Sequence, residues 1–219
     1  MTHPRQHNLV IFGATTALGR EVACLGRALG HRIFAVYQGD PPTLEEPWMH
    51  GVQWLPLADV DLTELRPRSV LYCDTALVET ATGDRAEILR DRPRRLIAEA
   101  ESLDPPPRFV LRSTVDQPFA PEAFTTLSRE TEQALTASTL RHVILRMPLL
   151  YGPERPDSVA AMMITQGARL LPGLHRPDLR PLPIPMAAMA MLRASLEPDT
   201  PSLLTTEEIA HLGDAVIAQ

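Results

Sequence analysis

Near its start the chain places a short apolar run directly before a segment with helical spacing. The run at 8–13, NLVIFG, is continuous rather than alternating, which is typical of a strand buried on both faces of a parallel sheet. In the following segment, 17–30, apolar residues recur at helical intervals and Gly30 is placed to end the helix. Because parallel strands must be joined by crossovers, usually helices, this opening favours an α/β protein.

The alternation of strand and helix continues along the chain. Further strands are predicted at 31–37, 52–57, 69–74, 108–114 and 142–147. Helices are predicted within 84–103, with an interruption near Pro93, and at 121–138. This order predicts a Rossmann-type doubly wound parallel sheet with right-handed crossovers.

After residue 153 the pattern loosens. The segment 172–185 is rich in proline and is predicted to be extended, and helices follow at 186–197 and 205–219, the last with Thr205 or Thr206 as its N-cap. We therefore expect a Rossmann-type core over 1–153. The region 154–219 is expected to pack on that core as a short C-terminal appendage on the substrate side, so that the two form one compact unit.

The composition excludes several classes of function. The formal net charge is -6, which argues against nucleic acid as the main partner because phosphate neutralisation needs a basic face. No apolar run reaches the roughly 18 residues of a membrane span. The two cysteines are expected to be buried free thiols in a reducing cytoplasm. The seven histidines are scattered without metal-ligand spacing, so no metal site is predicted.

The loop after the first strand carries two glycines six residues apart. Gly13 permits a tight turn at the strand end, and Gly19 lets the following helix approach the strand. The N-terminus of this helix offers backbone N–H groups to a pyrophosphate. The residues before and within its first turn are Thr15, Thr16, Ala17 and Leu18. Thr16 stands where dinucleotide-binding loops usually have their middle glycine. It could crowd the cofactor, or its hydroxyl could donate to a phosphate oxygen, so we expect weakened but not abolished binding.

Five segments together carry a resemblance to a known family. They are GATTALGRE (13–21), LADVDLTEL (57–65), RFVLRSTV (108–115), LRHVILRMPLLYGPE (140–154) and LPIPMAAMAMLRASLE (182–197). In this order and spacing the chain resembles the short-chain dehydrogenase/reductase superfamily, in its extended and atypical branches, which include nucleotide-sugar epimerases and dehydratases. The resemblance implies NAD or NADP as cofactor and a small or nucleotide-linked substrate. It also implies a homodimer formed by the helices within 84–103 and 121–138.

The resemblance also assigns cofactor and substrate positions. Gln38 stands where an acidic residue would favour a free ribose 2′-OH and an arginine a 2′-phosphate, so the choice between NAD and NADP stays open. Asp59 falls in the acidic stretch beside the adenine. Thr114 matches the family's catalytic Ser/Thr, although a satisfied hydroxyl at a strand end is an equally good interpretation. Tyr151 falls near the pocket wall.

The catalytic Tyr-Lys pair of the family is absent. Aligning residues 125–135 with the pattern Y-x-x-S-K-x-x-x-E puts Thr125 at the tyrosine and Arg129 at the lysine. A threonine hydroxyl is too weak an acid for proton transfer near neutral pH. Arg129 could bind a ribose or a phosphate but cannot titrate. No other lysine can substitute, since all 21 basic residues are arginine.

Two aspartates lie at predicted strand ends. Asp74 follows the fourth strand and Asp116 lies just beyond Thr114, at the edge where ligands of such sheets bind. They could form an acid/base pair, or each could cap a turn.

The sequence leaves three hypotheses about function. The chain is an NAD(P)-binding reductase- or epimerase-like enzyme that uses Thr114, Asp116 and Arg129, a non-catalytic relative that senses a ligand or assists assembly, or a cofactor-independent lyase or isomerase.

Overall fold

A seven-stranded parallel sheet forms the centre of the molecule. The computed structural model describes residues 6–73, 84–116, 122–152, 163 and 177–214. The strands of the sheet are β1 (Asn8–Phe12), β2 (Arg32–Tyr37), β3 (Gln53–Pro56), β4 (Ser69–Tyr72), β5 (Arg108–Thr114), β6 (His142–Met147) and β9 (Leu203–Leu204). They lie side by side in the order β3-β2-β1-β4-β5-β6-β9. A second sheet pairs β7 (Leu150–Tyr151) with β8 (Leu182–Pro183).

Helices cover both faces of the main sheet. They are α1 (Ala17–Ala28), α2 (Leu62–Leu65), α3 (Asp84–Glu101), α4 (Glu122–Ala137), α5 (Ile184–Leu196) and α6 (Thr206–Asp214). Successive strand residues point to opposite faces, which explains the continuous apolar runs. In β1, Leu9 and Ile11 join the core beneath α1 and α5, whereas Val10 and Phe12 join the core beneath α3 and α4.

The predicted Rossmann-type doubly wound sheet is confirmed, with two differences in detail. Helix α3 continues through Pro93, so the predicted interruption is wrong. Leu96, Ile97 and Ala100 of this helix are buried in the core, and this packing outweighs the local preference of proline. The second difference is that the short strands β7, β8 and β9 were not predicted, because two-residue strands carry no periodicity.

The C-terminal region is part of the same layers. Helix α5 packs against α1, β4 and β5, and β9 pairs in parallel with β6 through Ile144↔Leu203 and Leu145↔Leu204. The boundary between a core over 1–153 and an appendage over 154–219 stays a prediction, as does the substrate-side role of the appendage. Neither Cys24 nor Cys73 is in a disulfide, and Cys24 is partly exposed rather than buried. No helix in the described part of the chain is long and apolar enough to cross a membrane.

Candidate functional site

The glycine loop lies between the carboxyl end of β1 and the start of α1. Gly13 has a φ of +75°, a conformation that side chains disfavour, and the N–H of Thr16 closes the turn onto the Gly13 carbonyl at 3.0 Å. A Cβ on Gly19 would stand 2.1 Å from the Gly13 carbonyl oxygen. The expected close approach of helix and strand at Gly19 is therefore confirmed.

Thr16 is the N-cap of α1. Its hydroxyl donates to the Gly13 carbonyl oxygen at 2.8 Å and accepts from the N–H of Gly19 at 3.1 Å. The hydroxyl proton is thus used inside the loop, which does not match the expectation that it donates to a phosphate. The N–H groups of Ala17 and Leu18 have no acceptor within the described residues and lie at the positive end of the helix dipole.

The two residues expected near the adenosine lie at the same edge of the sheet as the loop. Gln38 directly follows β2 and is exposed. Asp59 ends a short 3-10 helix, Leu57–Asp59, that directly follows β3, and it is also exposed. In contrast, Asp61 is a structural cap of α2, and its carboxylate accepts from the N–H of Thr63 at 2.8 Å. Hydrogen bonds from the Thr63 hydroxyl and N–H hold the pKa of Asp61 below its usual value.

Arg20 links α1 to the segment after β2, a contact that sequence reasoning missed. Its guanidinium lies 2.7 Å from Glu46, whose second oxygen accepts from the indole N–H of Trp48 at 2.7 Å. The hydrogen bond from Trp48, with a further contribution from Arg20, lowers the pKa of the exposed Glu46 carboxyl. Trp48 and Trp54, the only tryptophans of the chain, are 6.4 Å apart between ring centres.

The three predicted catalytic residues come together at the carboxyl end of β5. Thr114 is the last residue of β5 and is buried, and its hydroxyl donates to the Val115 carbonyl at 3.2 Å. Arg129 of α4 donates to the Thr114 carbonyl at 2.9 Å and forms an ion pair with Asp116 at 2.6 Å. Side-chain exposure is 23% for Arg129 and 70% for Asp116.

A buried carboxylate, Glu132, completes this cluster and was not predicted. Glu132 accepts hydrogen bonds from Ser113 and Arg129, and Arg146 of β6 binds both of its oxygens, with an Nη2 contact of 2.6 Å. These bonds to Glu132 raise the pKa of Arg146. Arg146 is the sequence feature that could have indicated this carboxylate, because a charged side chain inside a buried strand requires a partner of opposite charge.

The other candidate positions are less informative. Thr125 is half-buried one turn before Arg129, and Tyr151 is half-buried in β7. Asp74 lies outside the described residues, so its pairing with Asp116 as an acid/base pair stays a prediction. Among the residues that the structure describes, no group of three or more His, Cys, Asp or Glu side chains is placed to bind a metal ion.

Comparison with known proteins identifies the fold. No family model and no curated protein matches the sequence. Three solved structures illustrate the similarity. A candidate NAD-dependent epimerase/dehydratase from Bacillus halodurans is 14% identical, with a TM-score of 0.67, over 95% of this chain and 99% of that one. The enzyme WbmH of Bordetella bronchiseptica, in complex with NAD+, is 18% identical, with a TM-score of 0.61, over 98% of this chain and 81% of that one. A human epimerase family protein with NADPH is 18% identical, with a TM-score of 0.61, over 90% of this chain and 72% of that one.

At these identities the similarity concerns the fold. The seven-stranded parallel sheet, the glycine loop and the flanking helices are in the places that the sequence resemblance implies. The chain therefore has the fold of the NAD-dependent epimerase/dehydratase-like short-chain dehydrogenases/reductases.

Proposed function

We propose that the chain binds NAD or NADP and is a reductase- or epimerase-like protein without the Tyr-Lys pair. The observation that carries this proposal is the loop of residues 13–19. Gly13 and Gly19 bring the start of α1 against the end of β1, and the N–H groups of Ala17 and Leu18 are left for a pyrophosphate. NAD and NADPH in the similar structures support the same ligand class.

The surroundings of the loop support a whole dinucleotide rather than a phosphate alone. Gln38 and Asp59 follow strands β2 and β3 on the side where the adenosine would lie. Thr114 ends β5 and Arg129 lies on the next helix, α4, on the other side of β1, where a nicotinamide and a substrate would meet. The cofactor would supply the hydride, and these residues would orient the substrate. No charged group stands at Gln38, so the choice between NAD and NADP stays open.

Glu132 allows a second alignment of the active-site helix with the family pattern. In the alignment through Arg129, the glutamate of Y-x-x-S-K-x-x-x-E falls on Gln133. When Glu132 takes that place, Phe124 stands at the tyrosine and Ser128 at the lysine. Both alignments lack the tyrosine and the lysine, so proton transfer by such a pair is not part of the proposal.

A second candidate function is a non-catalytic NAD(P)-binding protein that senses a ligand or assists assembly. It is favoured by the bonds at the carboxyl end of β5, where Arg129 is committed to Thr114, Asp116 and Glu132 and the Thr114 hydroxyl is satisfied by Val115. These contacts hold both side chains in place within the protein. The cofactor-independent hypothesis depends on Asp74, which lies outside the described residues.

Two measurements separate these functions. Titration with NAD+, NADH, NADP+ and NADPH tests the shared step, and we expect saturable binding of at least one of them. NAD(P)H oxidation in the presence of carbonyl compounds and sugar nucleotides then tests for a reaction. Substrate-dependent oxidation that is lost in Thr114→Ala supports the enzyme, whereas binding without turnover of any substrate supports the sensor. A homodimer through α3 and α4 and a cytoplasmic location stay predictions.

A further inference from the structure

Arg129 has more hydrogen-bond donors than the protein uses. A guanidinium carries five N–H donors. Three are engaged, one by Glu132, one by the Thr114 carbonyl and one by Asp116. The two that are left have no partner among the described residues. The side chain is nevertheless 23% exposed, so an incoming group can reach it.

The guanidinium of Arg129 is held in place from its buried side. Glu132 is 6% exposed and is itself fixed by Arg146 and Ser113, and the Thr114 carbonyl provides a second, backbone anchor. A ligand that binds Arg129 would therefore meet a group whose rotamer is already ordered. Such preorganisation lowers the entropy that binding would otherwise lose.

Asp116 holds Arg129 from the exposed side. Its side chain is 70% exposed, and an ion pair in that environment contributes little because water and salt screen it. A second anion could therefore replace Asp116 on Arg129 at small cost. The released N–H, together with the two unused ones, would present a fork that matches a carboxylate or a phosphate.

The position of this cluster is suited to a substrate. Thr114 ends β5, and only β4 lies between β5 and the strand that leads into the glycine loop. At the usual strand spacing the two strand ends are about 10 Å apart on one edge of the sheet. A cofactor on the loop and a small acid on Arg129 would thus be neighbours.

We propose that Arg129 is an anion-binding subsite for the carboxylate or phosphate group of the substrate, and that Asp116 occupies this subsite in the ligand-free protein. The subsite itself needs only the cluster around Arg129. Its role in substrate binding rests on the proposed nucleotide function. The chain would accordingly act on, or sense, acidic compounds in preference to neutral ones.

The test is an anion titration of the full chain with inorganic phosphate and, separately, with malonate as a carboxylate probe. The apparent Kd is taken from the dependence of Tm on the anion, at constant ionic strength and with saturating NADH or NADPH to fill the glycine loop. Asp116→Asn removes the internal competitor and is expected to tighten binding about two- to fivefold. Arg129→Lys keeps a charge beside Glu132 but loses the fork, and is expected to weaken binding about tenfold.

Asp104→Asn is the matched control, because Asp104 is exposed and precedes the opposite, amino end of β5. It removes one negative charge without touching Arg129 and should leave both Kd values unchanged. Tighter phosphate than malonate binding identifies a phosphorylated substrate, and the reverse identifies a carboxylic acid.

The proposal is overturned if Asp116→Asn and Asp104→Asn give the same Kd, if Arg129→Lys binds like the wild type, or if neither anion binds. If no nucleotide binds, the titrations are run without one. Anion binding that still follows the Asp116 and Arg129 variants then retains the subsite while the nucleotide function fails.

Discussion

The carbonyl oxygen of Gly13 lies 2.1 Å from the point where a Cβ on Gly19 would stand. No side chain fits there unless strand β1 and helix α1 move apart. The contact therefore fixes the geometry of the loop on which the proposed nucleotide binding depends.

Gly19→Ala should lower both stability and nucleotide affinity. The added methyl group meets backbone atoms, which cannot rotate away, so we expect a loss of about 1–3 kcal/mol in the free energy of unfolding. Gly26→Ala on the same helix is the control, since its Cβ meets the mobile end of the Ile33 side chain at 2.8 Å. Urea denaturation and nucleotide titration of both variants measure this, and equal behaviour of the two would contradict the steric account.

Thr16 should raise the stability of the protein and lower its affinity for the nucleotide. Thr16→Ala removes the cap on the Gly19 N–H and should cost about 1 kcal/mol of stability. Thr16→Gly should cost only a few tenths of that, since glycine is tolerated as an N-cap. It also removes the branched side chain from the loop and frees the Gly19 N–H, so the nucleotide should bind more tightly than in the wild type. An unchanged or weaker nucleotide Kd in Thr16→Gly would show that Thr16 does not hinder binding.

Glu132→Gln should be strongly destabilising. The substitution keeps the shape of a buried side chain but leaves Arg129 and Arg146 without the carboxylate that joins them, at a cost of about 3 kcal/mol. Asp116→Asn breaks an exposed ion pair with the same Arg129 and should cost less than about 1 kcal/mol. Chemical denaturation of the two variants measures the contrast, and similar losses would mean that Glu132 is not the structural centre of the cluster.

His31 should make the protein less stable in mild acid. It is buried beside His7, with ring centres 5.6 Å apart, and its Nδ1 has no partner in the described part of the chain. Burial lowers the pKa of His31 from its ordinary 6.5. As pH falls, the imidazole of His31 is protonated in the unfolded chain before it is protonated in the folded one. The contribution of His31 to the free energy of unfolding is therefore greatest above about pH 6.5 and decreases below it.

The measurement for His31 is Tm between pH 7.5 and 5. His31→Gln should flatten the part of the acid-side decrease that this residue causes, whereas the same substitution at exposed His50 should leave the profile as in the wild type. A profile that His31→Gln leaves unchanged would assign the decrease to other groups.

The sheet could be predicted from the sequence because each central strand contains an uninterrupted run of at least three apolar residues. The limits of β5 and β6 were predicted to the residue, at Arg108–Thr114 and His142–Met147. Strand β9 could not be predicted, since Leu203 and Leu204 gain their strand conformation only by pairing with β6. Helix α3 shows the same limit, because buried packing rather than local preference carries it through Pro93.

The candidate site could be predicted in part. The spacing of Gly13 and Gly19 is a local pattern, and it identified the loop. Glu132 is different, because its partners Ser113 and Arg146 come from separate strands and only the fold brings them to α4. For Thr16 the sequence left two alternatives, crowding of the cofactor or donation to a phosphate, and it did not reveal that the hydroxyl is satisfied locally as an N-cap.

The central claim is that the loop of residues 13–19 binds a nicotinamide dinucleotide. Titration of the purified chain with NAD+, NADH, NADP+ and NADPH tests it most directly, by calorimetry or by quenching of Trp48 and Trp54. The account predicts saturable binding with a stoichiometry of about one per chain for at least one of the four, weakened in Gly19→Ala and retained in Gly26→Ala. Absence of binding for all four nucleotides by a folded wild-type protein would contradict it.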